Sequence, residues 1–228
     1  MKTVGIIGGL GPETTAEFYL KVVFSCQEKN DEHRPAVLIS SVPIPYEIEK
    51  DAIEESKGIE RFIPHLQKEA QRLEGAGADF LVMPCNSLHV FIEDIRSSVK
   101  VPVLSIIEET TKFIKKGGFE RVGIISTSLT LQNRLYQDAL EKEGITFFEP
   151  DPLQQAKLGR IIHNLVNGMQ KNADREEIIN TVEGFVGKAD CVILACTDLQ
   201  LLIPQHQTLK IFDSMGIFAD ATVRMMLE

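Results

Sequence analysis

Apolar and polar stretches alternate along this chain in a pattern that predicts strands followed by helices. Short apolar runs fit buried strands, and the longer amphipathic stretches between them fit helices that cover a sheet. The predicted strands are residues 3–8, 36–42, 79–84, 101–105, 121–126, 146–149, 191–195 and 209–212. The predicted helices include residues 13–28, 57–74, 129–143 and 158–169. This alternation favours an α/β fold with mostly parallel sheets flanked by helices.

The same pattern occurs twice in the chain. Residues 78–88 read Ala-Asp-Phe-Leu-Val-Met-Pro-Cys-Asn-Ser-Leu, and residues 189–199 read Ala-Asp-Cys-Val-Ile-Leu-Ala-Cys-Thr-Asp-Leu. Cys196 therefore lies 111 positions after Cys85 (196 − 85). We expect two pseudo-symmetric α/β domains, residues 1–98 plus 209–228 and residues 99–208. The tail from residue 209 has no evident counterpart after the first half, and we expect it to complete the first domain.

Composition excludes several classes of partner. The formal charge of −9 disfavours nucleic acid and anionic membranes, which both bind clustered Lys and Arg. No apolar stretch approaches the roughly 20 residues that span a bilayer. The four cysteines are irregularly spaced and do not resemble a disulfide scaffold. We therefore expect a cytoplasmic protein without a nucleic-acid or membrane partner.

Two of the cysteines are candidate catalytic groups. Cys85 and Cys196 each follow a predicted strand, where ligands bind in open α/β sheets. A helix N-terminus at that point would stabilise a thiolate. Two such thiols, one from each half, would suit a reaction with a base on one face of a carbon and an acid on the other. Core filling is the alternative for both, and it is the favoured interpretation for Cys26 and Cys191.

Small polar residues and a glycine turn are candidate ligands for a substrate carboxylate. The turn after the first strand lacks the third glycine of a dinucleotide fingerprint, which would fall on Thr14, and fits a small anion better. The predicted substrate-binding residues are Gly9, Leu10, Gly11, Asn86, Ser87, Thr127, Thr130 and Thr197. Asn86 and Thr197 fit equally well as helix caps. His89, one helical turn after Cys85, either supports the thiolate or is an ordinary surface or capping histidine.

No ligand spacing typical of a metal site is present. The chain has neither a Cys-x-x-Cys nor a His-x-x-x-His motif. The sequence therefore predicts no metal site.

Five segments together resemble one known family, the aspartate/glutamate racemases, which are pyridoxal-phosphate-independent amino-acid racemases. They are residues 8–15 (Gly-Gly-Leu-Gly-Pro-Glu-Thr-Thr), residues 85–89 (Cys-Asn-Ser-Leu-His), Thr127 with Thr130, residues 195–198 (Ala-Cys-Thr-Asp) and residues 212–214 (Phe-Asp-Ser). The resemblance covers essentially the whole chain. It implies two similar α/β domains, an active site in the cleft between them, and Cys85 and Cys196 as catalytic acid and base. It also implies no cofactor, an amino-acid substrate of the aspartate or glutamate class, and a homodimer.

The chain departs from this family where a substrate side chain would be recognised. Family members commonly have Ile-Pro-Asp-Arg in the loop after the second strand, whereas this chain has Tyr46 and Glu47 after Ile-Pro. Asn167 stands at a usual lysine and Phe218 at a usual histidine. A buried carboxylate needs a paired cation, so these departures argue against aspartate itself as the substrate.

We therefore expect proton removal and return at an amino-acid Cα by two opposed cysteines. A related isomerase or decarboxylase, similar to maleate isomerase and using one cysteine covalently, is the alternative enzyme. A small-molecule binding protein without catalysis is the alternative from another class.

Overall fold

The computed structural model of the chain describes residues 1–30, 33–48, 58–166, 168–202 and 206–228. The predicted α/β class is confirmed, because the strand pairs within these residues are all parallel and helices connect the strands. The chain divides into two compact units. Unit 1 is Met1–Ile106 with Phe218–Glu228, and unit 2 is Ile107–Ile217. None of the helices in the described residues is long and apolar enough to cross a membrane.

Unit 1 is built on a three-stranded sheet of order β2-β1-β3. The strands are β1 (Val4–Gly8), β2 (Val37–Ser41) and β3 (Phe80–Val82). The helices are α1 (Pro12–Lys29), α2 (Ile63–Gly75) after a 3-10 turn at Ile59–Phe62, and α3 (Ile92–Ser98) after a 3-10 helix at Ser87–Phe91. The side chains of β1 and β3 are fully buried, as the continuous apolar runs predicted.

Unit 2 is built on a four-stranded sheet of order β5-β4-β6-β7. Its strands are β4 (Arg121–Ser126), β5 (Thr146–Phe148), β6 (Cys191–Ala195) and β7 (Lys210–Asp213). Its helices are α4 (Ile106–Lys116), α5 (Ser128–Gln132), α6 (Leu135–Lys142), α7 (Pro152–Val166), α8 (Asn172–Glu183) and a 3-10 helix at Thr197–Leu202. The last helix, α9 (Ser214–Leu227), begins in unit 2 and ends in unit 1.

The two sheets repeat one arrangement around the cysteine strands. β3 lies beside β1, and β6 lies beside β4. An aspartate fixes each pairing: Asp79 Oδ2 accepts from the Thr3 N–H at 2.6 Å, and Asp190 Oδ2 accepts from the Arg121 N–H at 3.0 Å. The backbone N–H of each aspartate donates back to the same strand, at 2.8 and 2.7 Å. The Ala-Asp pair that opens both sequence repeats thus sets the strand register.

The predicted strand at residues 101–105 is wrong as a strand. Val103 makes only an isolated parallel bridge to Leu81. The Leu81 N–H donates to the Pro102 carbonyl, and the Leu104 N–H donates to the Leu81 carbonyl. Pro102 has no N–H of its own, so the ladder cannot extend toward the residues before it.

This segment also corrects the interpretation of the tail. The bridge at Val103 lies beside β3 as β7 lies beside β6, and a helix follows in each case. Residues 101–116 are therefore the counterpart of the tail from residue 209. β7 pairs with β6, so residues 210–213 lie in unit 2. Residues 218–228 lie in unit 1, where the Lys2 N–H donates to the Met226 carbonyl at 2.8 Å.

Candidate active site

Cys85 lies at the carboxyl edge of the unit 1 sheet, three residues after β3 ends at Val82. Its N–H donates to the Met83 carbonyl at 2.8 Å, which turns the chain out of the strand. The side chain is partly exposed. The helix that follows is a five-residue 3-10 helix. A helix this short aligns fewer peptide dipoles than the longer helix that the sequence predicted after Cys85.

The His89 ring makes two hydrogen bonds that fix the backbone of the Cys85 segment. Its Nδ1 lies 2.7 Å from the Cys85 carbonyl, and its Nε2 lies 3.1 Å from the Ile106 N–H. The carbonyl only accepts and the amide only donates, so Nδ1 carries the proton and Nε2 accepts. The ring is buried and neutral in this arrangement. His89 therefore joins the Cys85 backbone to the start of α4. It is buried rather than at the surface, and it accepts the first N–H of that helix, as a capping residue does.

The glycine turn between β1 and α1 lies beside Cys85 because β1 and β3 are neighbours. Gly9 has φ +82°, and a Cβ there would approach Ser41 Oγ to 2.5 Å. The Gly9 N–H donates to Thr15 Oγ1 at 2.9 Å, and that hydroxyl donates to the Gly11 carbonyl. Thr15 thus closes the turn. The Gly9 amide, predicted to bind a carboxylate, is engaged within the turn itself.

Asn86 and Ser87 follow Cys85 directly. Asn86 stands at the N-cap position of the 3-10 helix, but its backbone is right-handed helical and its side chain makes no capping hydrogen bond. Its side chain is buried next to the thiol-bearing residue. Ser87 is the first residue of the 3-10 helix and is partly exposed.

Cys196 occupies the equivalent position in unit 2, directly after β6. It is only 5% exposed, and it packs in the apolar cluster formed by β4, α7, α8 and the 3-10 helix. Its Sγ lies 3.6 Å from Asp198 Oδ2, with the thiol as donor. Asp198 had no role among the sequence predictions. The sequence feature that could have identified it is its position two residues after Cys196 in a tight turn.

The turn after β4 carries the predicted hydroxyls. Thr127 caps α5, because its Oγ1 accepts from the Thr130 N–H at 3.1 Å. The two threonine hydroxyls also bond each other at 3.0 Å. Thr197 is the first residue of its 3-10 helix and is buried, so it does not occupy the preceding cap position.

Gln155 of α7 is a second residue of this region without a predicted role. Its Nε2 donates to the Ser126 carbonyl at the end of β4, at 3.0 Å. Its Oε1 is buried and accepts no hydrogen bond within the described residues. No sequence signal marked this glutamine, because an amide on an amphipathic helix is usually solvated.

The loop after β2 is described as far as residue 48. Tyr46 is 87% exposed there, and Glu47 lies 3.9 Å from the Arg61 guanidinium. Glu47 is itself mostly exposed. The rest of the acidic loop, residues 49–56, and Asn167 lie outside the described residues.

Phe218, at the position of the family's histidine, is fully buried and packs against Phe18 with ring centroids 5.6 Å apart.

The other two cysteines fill the core, as predicted. Cys26 and Cys191 are both free and fully buried. Burial raises the pKa of Cys191 to about 12, with a further contribution from the Asp190 carboxylate. Both thiols are therefore unreactive near neutral pH. Among the described residues, no group of three or more His, Cys, Asp or Glu side chains could hold a metal ion.

These observations define a class of protein. It has two α/β units in which three parallel strands follow the same order, and each unit carries one thiol at the carboxyl edge of its sheet beside a short polar turn. Gly9 and Asn86 accompany the thiol in unit 1. Thr127, Thr130 and Thr197 accompany it in unit 2.

Comparison with known sequences places this class in a family. The sequence matches the family described as Asp/Glu/Hydantoin racemase over residues 7–222. It is 33% identical over 233 aligned positions to the broad specificity amino-acid racemase RacX of Bacillus subtilis, covering 98% of each chain. It is 28% identical to the glutamate racemase of Aquifex aeolicus, over 63% of this chain and 55% of the relative. The chain belongs to the Asp/Glu/hydantoin racemase family.

Solved structures show the same fold. A structure described as a putative Asp/Glu racemase from Yersinia pestis superimposes with a TM-score of 0.88 at 27% identity, over the whole of both chains. An aspartate racemase homologue from Pyrococcus horikoshii gives 0.82 at 30% identity, again over both whole chains. The glutamate racemase of Francisella tularensis gives 0.63 at 15% identity, over 99% of this chain and 81% of that one, which supports the fold alone.

Proposed function

We propose that this chain is an amino-acid racemase that needs no cofactor and uses Cys85 and Cys196 as its two bases. One thiolate removes the Cα proton of the bound amino acid. The other cysteine, as a thiol, gives a proton to the opposite face, and the product has the inverted configuration. One cysteine follows β3 and the other follows β6, the corresponding strands of the two units, and this placement is the observation that carries the proposal.

The Cα proton of an amino acid is very weakly acidic, so the developing carbanion has to be stabilised. Hydrogen-bond donors around the substrate carboxylate supply part of that stabilisation. The amides of Leu10 and Gly11, the Asn86 amide and the hydroxyls of Thr127, Thr130 and Thr197 are the groups that we assign to it. The buried Oε1 of Gln155 is an acceptor at the same sheet edge and suits the substrate ammonium group.

We propose that the enzyme accepts several amino acids and disfavours acidic ones. The broad specificity named for the Bacillus subtilis relative supports the first part. Glu47 supports the second, because its carboxylate stands in the loop where the family commonly has an arginine. Arg61 lies beside Glu47 but is paired with it, at 3.9 Å. A substrate carboxylate in this loop would therefore meet a negative side chain.

Incubation with a panel of L-amino acids in D₂O tests the proposal. Chiral chromatography with mass spectrometry then reports the configuration and the deuterium content of each product. The expected result is D-product carrying one deuterium at Cα for several neutral or basic amino acids, with a lower kcat/KM for aspartate and glutamate.

Two other outcomes would overturn the proposal. Conversion of maleate to fumarate without any racemisation would indicate the cysteine isomerase alternative. Binding of amino acids, measured by calorimetry, without deuterium exchange would indicate a binding protein.

We further propose a cytoplasmic homodimer. The four free cysteines fit a reducing compartment, and the resemblance to the racemase family supports the dimer. Sedimentation equilibrium should give about twice the chain mass of 25.5 kDa. A single-chain mass at micromolar concentration would contradict the dimer.

A further inference from the structure

Unit 2 contains a fully buried tyrosine that has no part in the site described above. Tyr136 lies in the first turn of α6. Its hydroxyl is hydrogen-bonded to the side chain of Ser214, the first residue of α9, which is also fully buried. Thr110 of α4 lies near the phenol as well, but its hydroxyl falls short of hydrogen-bond geometry. The contact with Ser214 therefore satisfies the buried phenol.

Ser214 connects this phenol to β6. The Ser214 Oγ donates to the Leu194 carbonyl at 2.8 Å. A serine hydroxyl has one proton to donate, so Ser214 accepts from Tyr136, and the phenol is the donor. Burial raises the pKa of Tyr136, which keeps this donor protonated near neutral pH. The three residues thus form a directed chain of two hydrogen bonds, from the phenol to the serine and from the serine to the carbonyl.

This hydroxyl chain ends two residues before Cys196. Leu194 pairs with Asp213 of β7, and Cys196 follows β6 directly. The Asp213 carboxylate accepts from the N–H groups of Met215 and Gly216, both at 3.0 Å, which fixes the start of α9. The end of β6 is therefore held from α6 and α9 as well as by its neighbouring strands.

We propose that Tyr136 is a positioning residue, whose hydroxyl acts through Ser214 to fix the end of β6 and with it the place of Cys196. This inference rests on the racemase function proposed above, and it names a residue that keeps one of the two bases in place. Such placement matters because a displacement of about 1 Å at a reacting group can lower a rate about 100-fold.

Alkylation by iodoacetamide in Tyr136→Phe tests the inference, because this variant removes the hydroxyl and keeps the ring. Peptide mass spectrometry of the full chain reports each cysteine separately. A buried thiol reacts through local opening, so loss of one buried hydrogen bond should raise the alkylation rate of Cys196 about three- to ten-fold. Cys191 is fully buried on the same strand and reports opening of unit 2 as a whole. Its rate should stay unchanged.

Two further variants sharpen this measurement. Ser214→Ala should raise the Cys196 rate as Tyr136→Phe does, and the double variant should exceed Ser214→Ala by little, because both changes break the same chain. Tyr19→Phe is the matched control, since it removes the hydroxyl of an exposed ring on α1. It should change neither the Cys196 nor the Cys191 rate.

Exchange of the Cα proton with D₂O gives a second measurement. In a Cys85→Ala background, where Cys196 is the remaining base, Tyr136→Phe should lower the exchange rate about three- to ten-fold. In a Cys196→Ala background it should leave the rate unchanged. A purely structural contribution of Tyr136 to the fold would lower both rates alike, and an equal loss in the two backgrounds would overturn the inference.

Three results of the alkylation experiment would also overturn it. They are an unchanged Cys196 rate in Tyr136→Phe, an equal rise for Cys196 and Cys191, and additive effects in the double variant. None of the three depends on turnover. Absence of racemisation in the D₂O panel would therefore be a separate failure, of the proposed function rather than of the role of Tyr136.

Discussion

At the scale of single residues, the two cysteines should be separable by isotope exchange. Cys196→Ala leaves a base on one face of the substrate, and Cys85→Ala leaves one on the other. Racemisation should fall by about 10²- to 10⁴-fold in each variant, the usual contribution of a positioned acid or base. Each variant should still exchange the Cα proton of one enantiomer with D₂O, and the two variants should act on opposite enantiomers.

The control is Cys26→Ala, which removes a fully buried thiol on α1 that contacts Met1. It should retain wild-type turnover. Exchange of the same enantiomer by both catalytic variants would contradict the two-base scheme, as would full racemisation by either one.

Residue roles near the thiols were only partly predictable from the sequence. The positions of Cys85 and Cys196 followed from the apolar runs before them. Whether a side chain faces a ligand or its own backbone depends on the turn conformation, which a single sequence does not encode locally. Thus the hydroxyl of Thr15 accepts a hydrogen bond from the Gly9 N–H, and the hydroxyl of Thr127 caps α5.

At the scale of the elements, strand register positions the sheet edge that carries the candidate thiols. Asp190 accepts from the N–H groups of Glu120 and Arg121 at 3.2 and 3.0 Å, which aligns β6 with β4. Side-chain hydrogen bonds from the Arg121 guanidinium contribute most to holding the pKa of Asp190 below its usual range. Cys196 lies at the other end of β6, so a shift in this register would move the thiol relative to the Thr127 turn.

Asp190→Ala should lower the free energy of unfolding by about 1–2 kcal/mol at pH 7, because two backbone donors lose their acceptor. A lowered folded-state pKa means that the ionised side chain stabilises the fold fully above its unfolded pKa of about 3.9. That contribution is lost as the pH falls through the folded value. Urea unfolding at pH 7 and pH 3 should therefore show a smaller difference between wild type and variant at pH 3.

Asp190→Asn is the matched variant, because its amide oxygen still accepts one hydrogen bond without the charge. It should lose less stability than Asp190→Ala at pH 7. An equal loss at both pH values in Asp190→Ala would show that the charge does not contribute.

Strand positions were largely predictable at this scale, and the irregular connections were not. The apolar runs at residues 121–126 and 191–195 match β4 and β6 residue for residue, because β6 is fully buried and β4 is buried from Val122 onward. The predicted helix at residues 129–143 is two helices, α5 and α6, separated near Arg134. Arg134 has φ +51°, a left-handed conformation that the pattern of apolar positions does not reveal. The 3-10 helices after both cysteines are too short for the spacing of their apolar residues to distinguish them from α-helices.

At the scale of the whole molecule, the net charge creates a field that a charged substrate experiences. The chain carries 33 acidic and 24 basic side chains, for a formal charge of −9. Such a field repels aspartate, which carries one net negative charge at pH 7, and attracts lysine, which carries one positive charge. Salt screens it: the Debye length falls from about 30 Å at 0.01 M to about 10 Å at 0.1 M ionic strength.

Raising the ionic strength over that range should therefore raise kcat/KM for aspartate and lower it for lysine, each about two-fold or more, while alanine stays unchanged as the neutral control. For an amino acid that binds but is not turned over, the competitive inhibition constant is measured instead of kcat/KM. A rise for lysine, or an equal change for all three, would assign the salt effect to the protein's conformation rather than to its field. Because the comparison uses one enzyme and substrates of similar backbone, it separates the long-range disfavour for acidic substrates from the local effect proposed for Glu47.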